Sequence, residues 1–554
     1  MSGSSMMARL QRLARLAAHC EATGASAQEA IEHLDGPRDA GRRRFTTGAM
    51  AGAVAAAAGA GAMSPMAMAG AVKLRKALVT GNGGVAVVGA GIAGLSCAFE
   101  LGRNGVAAQV YEASGRVGGR CFSLRGAFGP QVAERGAEFI GGSHHTMLGY
   151  ARMFGLQLED FSMLPGSTRY HFDGRVYSEA QVVDEFRGFV GAMREDLALI
   201  GTPTAERHNV ADETFDLMSL DDYLTLNGAG GLLRKVIGAA YAAEYGAGID
   251  ELSAIGFLRF LHGDKRGKFA QVGAFGGDGF HVVDGNDRIA TELAARLPSP
   301  VQTGHRLVAV SKLAGGRVRL TFDANGRTFQ RDHDVVVLAL PFSVLRDVQI
   351  DASVGLPDWK RFAIQQSAMG DSAKLMVGFN QPYWYIKHGT NGTTYSDRSR
   401  VQATWETNPA NGSETRAVLT GLIGGAAARS FDPRNLTAET SRFLTELNTV
   451  MPGAFQAVQR SASGDPVSFA QHWSNNPYSK GAYTCHRPGY FTMIAHNEAK
   501  AVDNVLFAGD HTSSFYEWQG FMEGAALSGL RAAGETLALS QSRSLFARAM
   551  RAMA

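Results

Sequence analysis

Hydrophobic and polar positions divide this chain into strand-like and helix-like segments that alternate along its length. Strand-like runs, either continuously apolar or alternating, lie at 85–88, 317–322, 334–340 and 372–379, and the segment 505–510 begins as a strand and ends in a turn. Helical spacing of apolar residues covers 219–226, 232–245, 438–450 and 520–538. Ser219 is placed to cap the first of these helices. Pro341 ends the strand-like run at 334–340. The order of the segments predicts an α/β fold.

The first strand leads into a glycine-rich turn that predicts a ligand. The chain reads Gly89-x-Gly91-x-x-Gly94, a helix follows, and a second strand ends at Glu112, eighteen residues after Gly94. These glycines permit a tight turn, a close approach of a pyrophosphate and close packing of helix on strand, and Glu112 is placed to accept hydrogen bonds from an adenosine ribose. We interpret the segment as a dinucleotide-binding βαβ unit. The alternative is a plain glycine-rich turn.

The residues after Glu112 indicate which dinucleotide is expected to bind. Arg116-Val117-Gly118-Gly119-Arg120 follows directly, and two arginines beside a Gly-Gly turn can hold a second face of a pyrophosphate. This R-x-G-G-R element resembles the flavin-containing amine oxidase family, which includes monoamine oxidases and L-amino acid oxidases. The resemblance implies FAD. A solvated basic turn is the alternative.

The C-terminal run FAGDHTSSFYEWQGFMEGAALSG also resembles the family, whose end motif has this order. A helix that begins near Gly520 would aim its free amides at the flavin pyrimidine edge, where negative charge develops on reduction. Asp510 stands where many relatives carry Glu, and it is expected near the ribityl or phosphate region. The resemblance implies a set of FAD-binding residues: Gly89, Gly91, Ala93, Gly94, Glu112, Ala113, Arg116, Gly119, Arg120, Glu138, Leu307, Trp473, Gly509, Asp510, Gly520, Phe521 and Met522.

Four further residues match positions that bear on the reaction in the resembled family. Lys374 falls where the family places a lysine that bonds through a water to flavin N5. Tyr483 and Phe521 match the two halves of an aromatic cage, and Trp518 lies three residues before Phe521. Such rings would orient the αC–H of an amine toward N5. An exposed lysine and plain core aromatics are the alternatives. Ala482 replaces the cysteine of covalent members, so we predict non-covalent FAD.

The pieces of the expected cofactor domain are far apart in the chain. We predict a discontinuous, Rossmann-like FAD-binding domain of the GR2 type, built from residues 80–160, 276–345 and 460–540. An inserted α+β substrate domain is expected at 161–275 and 346–459.

The resemblance implies oxidation of an amine to an imine, which water hydrolyses to a carbonyl compound and ammonia, with O2 reduced to H2O2. Amino acid oxidases of this fold hold the substrate carboxylate with an arginine, and none lies in 137–143, although Arg135, Arg169 or Arg487 are substitutes. We therefore favour a monoamine or polyamine over an L-amino acid, with Glu138 and Glu244 as partners for a second cationic group. A dehydrogenase using a cytochrome, a flavin monooxygenase and a silent flavin-binding module remain open.

The first 71 residues differ in composition from the rest. Arg42-Arg43-Arg44-Phe45 precedes an Ala/Gly/Met-rich stretch that contains Ala67-Met68-Ala69 as a small-residue cleavage site, and this resembles a twin-arginine export signal. The resemblance implies a periplasmic or secreted enzyme. A membrane anchor is disfavoured, because alanine and glycine drive insertion poorly, and no stable membrane span is expected after cleavage.

The overall charge and the cysteines narrow the list of partners. Lys and Arg number 54 against 51 Asp and Glu in 554 residues, so no nucleic-acid partner is expected. Of the four cysteines, Cys20 lies in the expected leader. The other three are an odd number at scattered spacing, which suits neither a disulfide framework nor a metal site, so buried single thiols are expected. A homodimer is a further expectation.

Overall fold

The fold is described from a computed structural model. It describes residues 3–35, 84–160, 166–261, 279–407, 416–513 and 518–553. Within these ranges the strands are β1 (Val85–Val88), β2 (Ala108–Tyr111), β3 (Ser123–Gly126), β4 (Gly129–Glu134), β5 (Ile140–Gly141), β6 (Leu158–Asp160), β7 (Ser167–Phe172), β8 (Arg175–Tyr177), β9 (Gly279–Val282), β10 (Arg306–Lys312), β11 (Val318–Ala324), β12 (Arg327–His333), β13 (Val335–Leu338), β14 (Gln349–Ile350), β15 (Ala368–Met369), β16 (Ser372–Phe379), β17 (Thr390–Ser396), β18 (Ala403–Glu406), β19 (Ala417–Gly424), β20 (Ser468–His472), β21 (Thr484–Cys485) and β22 (Val505–Phe507).

Helices connect the strands and cover the sheets. They are α1 (Gly3–Thr23), α2 (Ala27–Asp35), α3 (Ile92–Arg103), α4 (His145–Met153), α5 (Glu179–Leu199), α6 (Val210–Leu217), α7 (Leu220–Leu226), α8 (Gly231–Tyr245), α9 (Ala254–Leu261), α10 (Asp287–Ala295), α11 (Phe342–Leu345), α12 (Asp358–Gln366), α13 (Tyr383–His388), α14 (Gly425–Arg429), α15 (Leu436–Val450), α16 (Ala454–Ala457), α17 (Tyr490–Met493) and α18 (Met522–Met553).

A parallel four-stranded sheet forms the centre of the predicted cofactor domain. Its order is β2-β1-β13-β22, so strands from three distant parts of the chain lie side by side. β1 and β13 are buried along their whole length, as their continuous apolar sequences predict for a sheet covered on both faces. Helices α3 and α18 pack against each other beside this sheet. The α/β fold and the discontinuous Rossmann-like arrangement are confirmed.

A seven-stranded sheet forms the core of the predicted substrate domain. Its order is β20-β16-β19-β18-β17-β7-β8, and its antiparallel pairs include β16 with both β19 and β20. β16 therefore lies inside the sheet, with every residue buried. The expected boundary at residue 460 is wrong, because β20 at Ser468–His472 belongs to this sheet. The hydrogen-bonded partner of a strand decides its domain, and strand patterning alone does not reveal that partner.

The N-terminal segment also differs from expectation in the part that the structure describes. Helix α1 packs against α5 and α8, and Leu10, Leu13 and Leu16 are fully buried. An ion pair joins Arg12 to Glu179 at 2.8 Å. Residues 3–35 thus pack against the folded body, because the apolar face of α1 completes the core of the substrate domain. The twin-arginine motif and the Ala67-Met68-Ala69 site lie outside the described residues.

Local sequence signals placed several elements correctly. Ser219 caps α7 by accepting a hydrogen bond from the amide of Asp222 at 3.0 Å. The final helix begins at Met522, two residues later than Gly520, because Gly520 has a positive φ of 85°. All four cysteines are free and buried, as expected. None of the helices in the described ranges is long and apolar enough to cross a membrane.

Candidate active site

A cavity of about 680 Å³ opens where the carboxyl ends of β1 and β13 meet the C-terminal segment. This is the usual ligand position in an open α/β sheet. Most of the predicted FAD-binding residues line it: Gly89, Gly91, Ala93, Glu112, Ala113, Arg116, Gly119, Arg120, Leu307, Trp473, Gly509, Asp510, Gly520, Phe521 and Met522. Gly94 and Glu138 are the two predicted cofactor residues outside this lining.

The glycines of the turn fit a dinucleotide diphosphate. A Cβ on Gly94 would lie 1.9 Å from the carbonyl oxygen of Gly89, so Gly94 serves helix packing and not ligand contact. A Cβ on Gly91 would meet no protein atom within 4 Å. The space beside Gly91 at the N-terminus of α3 is therefore open, which is the position where a diphosphate binds free amides.

Glu112 lies at the end of β2 with its carboxylate held by the backbone. Its Oε2 accepts from the amide of Ala90 at 2.8 Å, and its Oε1 accepts from the amide and the hydroxyl of Ser114, each at 2.8 Å. An ionised carboxylate has about four lone-pair positions, so it can accept a further hydrogen bond. This fixed orientation suits the expected ribose contact.

The two arginines of the R-x-G-G-R element have different partners. The guanidinium of Arg116 donates to the carbonyl of Gly119 at 2.6 Å and stacks over Phe122, 3.7 Å from the ring centroid. Arg120 forms a two-point ion pair with Asp510 and donates to the carbonyl of Ala482 at 2.8 Å. Sequence reasoning placed Arg120 and Asp510 separately at the cofactor and missed their contact.

The environment of Asp510 keeps its carboxylate charged. Burial by itself would raise the pKa of Asp510, but the charge of Arg120 and its hydrogen bonds to the carboxylate outweigh that effect, and the pKa is lowered. Asp510 is thus an anion that orients Arg120, and Arg120 in turn lines the cavity. Asp510 itself also lines the cavity, so its expected contact with the ribityl or phosphate region stays a prediction.

The aromatic residues of the expected cage are close together. The Trp518 and Phe521 rings have centroids 6.4 Å apart and lie edge to face. A Cβ on Gly520 would lie 3.6 Å from the Cβ of Tyr483, so Tyr483 reaches the turn that carries Phe521. Tyr483 and Phe521 are both buried. The hydroxyl of Tyr483 donates to the carbonyl of Ala243 at 2.6 Å, which connects the cage to helix α8.

His144 belongs to this aromatic group and was not predicted there. Its ring centroid lies 5.1 Å from that of Trp518 and 5.6 Å from that of Phe521. Its Nδ1 accepts from the amide of Gly141 at 3.0 Å, and burial lowers the pKa of His144 to about 3. The imidazole is therefore neutral, and its proton is on Nε2. Its position directly after the Gly141-Gly142-Ser143 turn was the available sequence signal.

Lys374 is fully engaged by protein atoms. Its Nζ lies 2.6 Å from Oε2 of Glu138, 2.7 Å from the carbonyl of Gly136 and 3.1 Å from that of Glu134. An ammonium group has three N–H donors, and these three acceptors use them all. The expected role of holding a water at flavin N5 is therefore not supported by this arrangement. Lys374 instead fixes the 134–138 segment, whose Ala137 lines the cavity.

Glu138, which was expected to bind the cofactor, does not line the cavity. Besides Lys374, its carboxylate accepts from the indole Nε1 of Trp405 at 2.7 Å, and the residue is fully buried. Both carboxylate oxygens are thus paired within the protein. Glu138 is equally unsuited to the other expected role, as a partner for a cationic substrate group, because its charge is already balanced.

The residues near Ala482 suit a dissociable cofactor. Ala482 is fully buried, and alanine offers no atom for a covalent link. Trp473 lines the cavity and donates from its indole to the carbonyl of Arg135 at 2.9 Å. Cys121 also lines the cavity, but burial raises the pKa of its thiol well above the usual value, so it is a poor nucleophile.

Taken together, the open space at Gly91, the paired Arg120 and the aromatic rings at the far end fit an FAD molecule. Bound FAD would supply the two-electron oxidation of a C–N bond. The protein residues bind and orient it, and the buried aromatic group excludes water from the substrate end. The described residues contain no group of side chains that could hold a metal ion.

The family model for flavin containing amine oxidoreductases matches residues 92–537. The chain therefore belongs to that family, and it is an FAD-dependent enzyme that oxidises amines. Among its relatives, it is similar to the putative flavin-containing monoamine oxidase AofH of Mycobacterium tuberculosis, with 26% identity over 475 residues, which is 82% of this chain and 96% of the relative. Human amine oxidase [flavin-containing] B is 25% identical over 470 residues, covering 82% and 86% of the two chains.

Solved structures show the same fold. Cyclohexylamine oxidase from Brevibacterium oxydans IH-35A aligns with a TM-score of 0.69 and 21% identity, over 84% of this chain and all of that chain. Wild-type putrescine oxidase bound to putrescine aligns with a TM-score of 0.68 and 20% identity, over 82% and 99% of the two chains.

Proposed function

We propose that this enzyme is an oxidase of primary amines, either monoamines or polyamines, that passes electrons to O2 and produces H2O2. The single observation that supports an amine most strongly is the aromatic group of buried Tyr483 and Phe521 with half-buried Trp518, of which Phe521 lines the cofactor cavity. Such a pocket favours the neutral form of an amine, because burial disfavours the charged form. The neutral amine is the form that can lose a hydride from its α-carbon.

The positions of three arginines support an amine over an L-amino acid. Arg135 donates to Oε1 of Gln471 at 2.6 and 3.0 Å, and Arg169 donates to the carbonyl of Val450 at 2.8 Å. The side chain of Arg487 is 57% exposed and lies 3.7 Å from Glu251. Each arginine thus has a protein partner of its own, and a carboxylate clamp needs a guanidinium whose donors point at the substrate. An L-amino acid oxidase is the second candidate.

The electron acceptor and the cellular location belong to the same proposal. The twin-arginine pattern at 42–45 supports export to the periplasm or beyond, where O2 and cytochromes are both available. The ammonium of Lys374 is paired with a carboxylate, so its charge contributes less to reduction of O2 than an unpaired ammonium would. A dehydrogenase that uses a cytochrome is therefore the alternative acceptor hypothesis.

The test is anaerobic mixing of the FAD-loaded enzyme with a panel of amines and L-amino acids, followed by admission of air. We expect amines to bleach the flavin absorbance within seconds, L-amino acids to bleach it much more slowly, and air to restore it with one equivalent of H2O2. Bleaching by L-amino acids alone would contradict the proposed substrate class. Bleaching by amines with no recovery in air would indicate that the electron acceptor is a protein and not O2.

A further inference from the structure

Beside the aromatic group, one acidic side chain is buried without a partner for its charge. Glu244 lies in the last turn of α8 and is 7% exposed. Its Oε2 has no hydrogen-bond partner among the described residues. Buried carboxylate oxygens are nearly always paired, because an unpaired one loses its hydration without compensation. The position of Glu244 is therefore suited to a cationic ligand.

Aromatic side chains lie near this carboxyl group. Tyr241 and Tyr245 stack with centroids 5.4 Å apart, and the hydroxyl of Tyr241 likewise has no partner among the described residues. Tyr395 and Tyr483 also lie within electrostatic range of Glu244, and all four tyrosines are buried. The faces of aromatic rings attract cations, most strongly where water is excluded.

The backbone adds to the same preference. Helix α8 ends at Tyr245, and Gly246 has the left-handed conformation of a helix cap, with φ of 65°. The carboxyl end of a helix carries the negative pole of its dipole, which favours a positive charge in the last turn. The helix end, the unpaired Oε2 of Glu244 and the nearby aromatic rings thus all favour a cation.

Glu244 is adjacent to the cage but does not line the cofactor cavity. The hydroxyl of Tyr483 donates to the carbonyl of Ala243, the residue before Glu244, at 2.6 Å. Phe521, on the other side of the cage, lines the cofactor cavity, whereas Glu244 is not among the lining residues. Tyr483 thus connects the residue next to Glu244 with the cage at which Phe521 reaches the cofactor cavity.

We propose that Glu244 binds the second ammonium group of a diamine or polyamine substrate, while the first amine reacts at the aromatic cage. This inference rests on the proposed function and narrows its substrate class. The other candidate for this role, Glu138, is already paired with Lys374 and Trp405. Burial raises the pKa of Glu244 to about 8. An ammonium group bound beside it would favour the charged carboxylate.

The experiment compares 1,4-diaminobutane with butylamine, which has the same carbon chain and lacks the second charge. Wild-type enzyme is expected to show at least about a tenfold higher kcat/KM for the diamine, the effect of roughly one well-placed buried charge contact. Glu244→Gln should lower kcat/KM for the diamine by 10- to 100-fold as an order of magnitude and leave butylamine within about twofold. Glu244→Asp keeps the charge and should retain part of the preference.

A matched control acid lies a few residues further along the chain. Glu251 is paired with Arg429 at 3.4 Å and its side chain is 29% exposed, so Glu251→Gln removes the same charge without touching the buried site. It should leave both substrates unaffected. The assignment of Glu244 would be overturned by equal losses of kcat/KM for the diamine and butylamine in Glu244→Gln, or by the absence of a diamine preference in wild type. In either case, oxidation of butylamine by the wild-type enzyme would still uphold the proposed function. If no amine bleaches the flavin anaerobically, the proposed function itself fails.

Discussion

The Nζ of Lys374 lies 2.6 Å from Oε2 of Glu138, and both side chains are almost completely buried. The pair joins the inner strand β16 to the turn region that follows β4, on which Ala137 faces the cofactor cavity. A buried ion pair offsets the cost of removing two charges from water only if both partners are present. This contact therefore makes the position of the turn depend on two residues 236 apart in the chain.

Removing one member of this pair should destabilise the protein strongly. Lys374→Met leaves the charge of Glu138 buried with only the Trp405 indole as a donor, so we expect a loss of about 3–5 kcal/mol in the free energy of unfolding. Urea unfolding of the purified wild-type protein and the variant measures this loss. The matched control is Glu100→Gln, which breaks an exposed pair with Arg103 and should cost no more than about 1 kcal/mol. A loss for Lys374→Met as small as that of the control would contradict the prediction.

Alanine at Gly91 and alanine at Gly94 should have opposite consequences. A Cβ on Gly91 meets no protein atom within 4 Å, so Gly91→Ala should leave the melting temperature of the apoprotein unchanged. It should weaken FAD binding about tenfold or more, a cost of about 1.4 kcal/mol, because the methyl group enters the diphosphate space. Gly94→Ala forces a contact of 1.9 Å with a backbone oxygen and should lower the melting temperature of the apoprotein.

The two glycine variants are compared by titrating FAD into each apoprotein and by thermal unfolding without FAD. Unchanged FAD affinity in Gly91→Ala would show that the diphosphate does not lie at this turn. An unchanged melting temperature in Gly94→Ala would show that α3 packs less closely on the turn than the distance of 1.9 Å between the added Cβ and the carbonyl oxygen of Gly89 implies.

The elements that could be predicted from the sequence are those whose signals are local. The Gly89–Gly94 turn lies between two short elements, so the residues that shape it are neighbours in the chain. The pairings of Arg120 with Asp510 and of Lys374 with Glu138 could not be predicted in this way. They depend on which strands are adjacent and in which register, and a one-residue change of register reverses the face of every side chain.

Helix α1 carries a second signal, which the leader prediction did not use. Leu10, Leu13 and Ala17 recur at helical spacing, which is typical of an amphipathic helix with one buried face. The basic residues between them and the later arginine motif favoured a leader instead. The basic side chains have partners in the fold: Arg12 pairs with Glu179, and Arg9 bonds to Thr168.

Deleting residues 1–35 should therefore destabilise the substrate domain. Three leucines of α1 are fully buried, and burying one leucine contributes about 1.5–3 kcal/mol, so the loss is expected to exceed about 4 kcal/mol. Thermal unfolding of the truncated and full-length chains measures the difference. Arg12→Ala, which breaks only the partly exposed pair with Glu179, is the matched control and should cost about 1 kcal/mol or less. Equal melting temperatures for the truncated and full-length chains would contradict the packing of α1.

Denaturation should release the cofactor, because Ala482 cannot form a covalent link. After acid precipitation of the FAD-loaded enzyme, we expect the flavin absorbance in the supernatant and a colourless pellet. Cys121 lies at the cavity with the pKa of its thiol well above the usual value, so Cys121→Ala should give the same result as wild type. A yellow pellet in wild type but not in Cys121→Ala would assign a covalent link to that thiol.

Glu244 should make stability fall with pH, and its replacement should remove part of that fall. Burial raises the pKa of Glu244 from 4.5 to about 8, so between these values the unfolded chain loses the proton and the folded chain keeps it. The stability contributed by the protonated group is thus complete below pH 4.5 and is lost as pH rises through about 8. Glu244→Gln cannot ionise, and relative to wild type it should gain up to about 4–5 kcal/mol between pH 4.5 and 8.5.

Urea unfolding of wild type and Glu244→Gln at several pH values between 4.5 and 8.5 measures this difference. Glu134, whose pKa burial also raises to about 8, contributes to the slope of both proteins and cancels in the comparison. A diamine that pairs with the carboxylate should stabilise wild type more at pH 8.5 than at pH 6, because it binds the charged form, and should not stabilise Glu244→Gln. Parallel pH profiles for the two proteins would mean that Glu244 is already ionised in the folded state, with a counter-charge supplied by the protein.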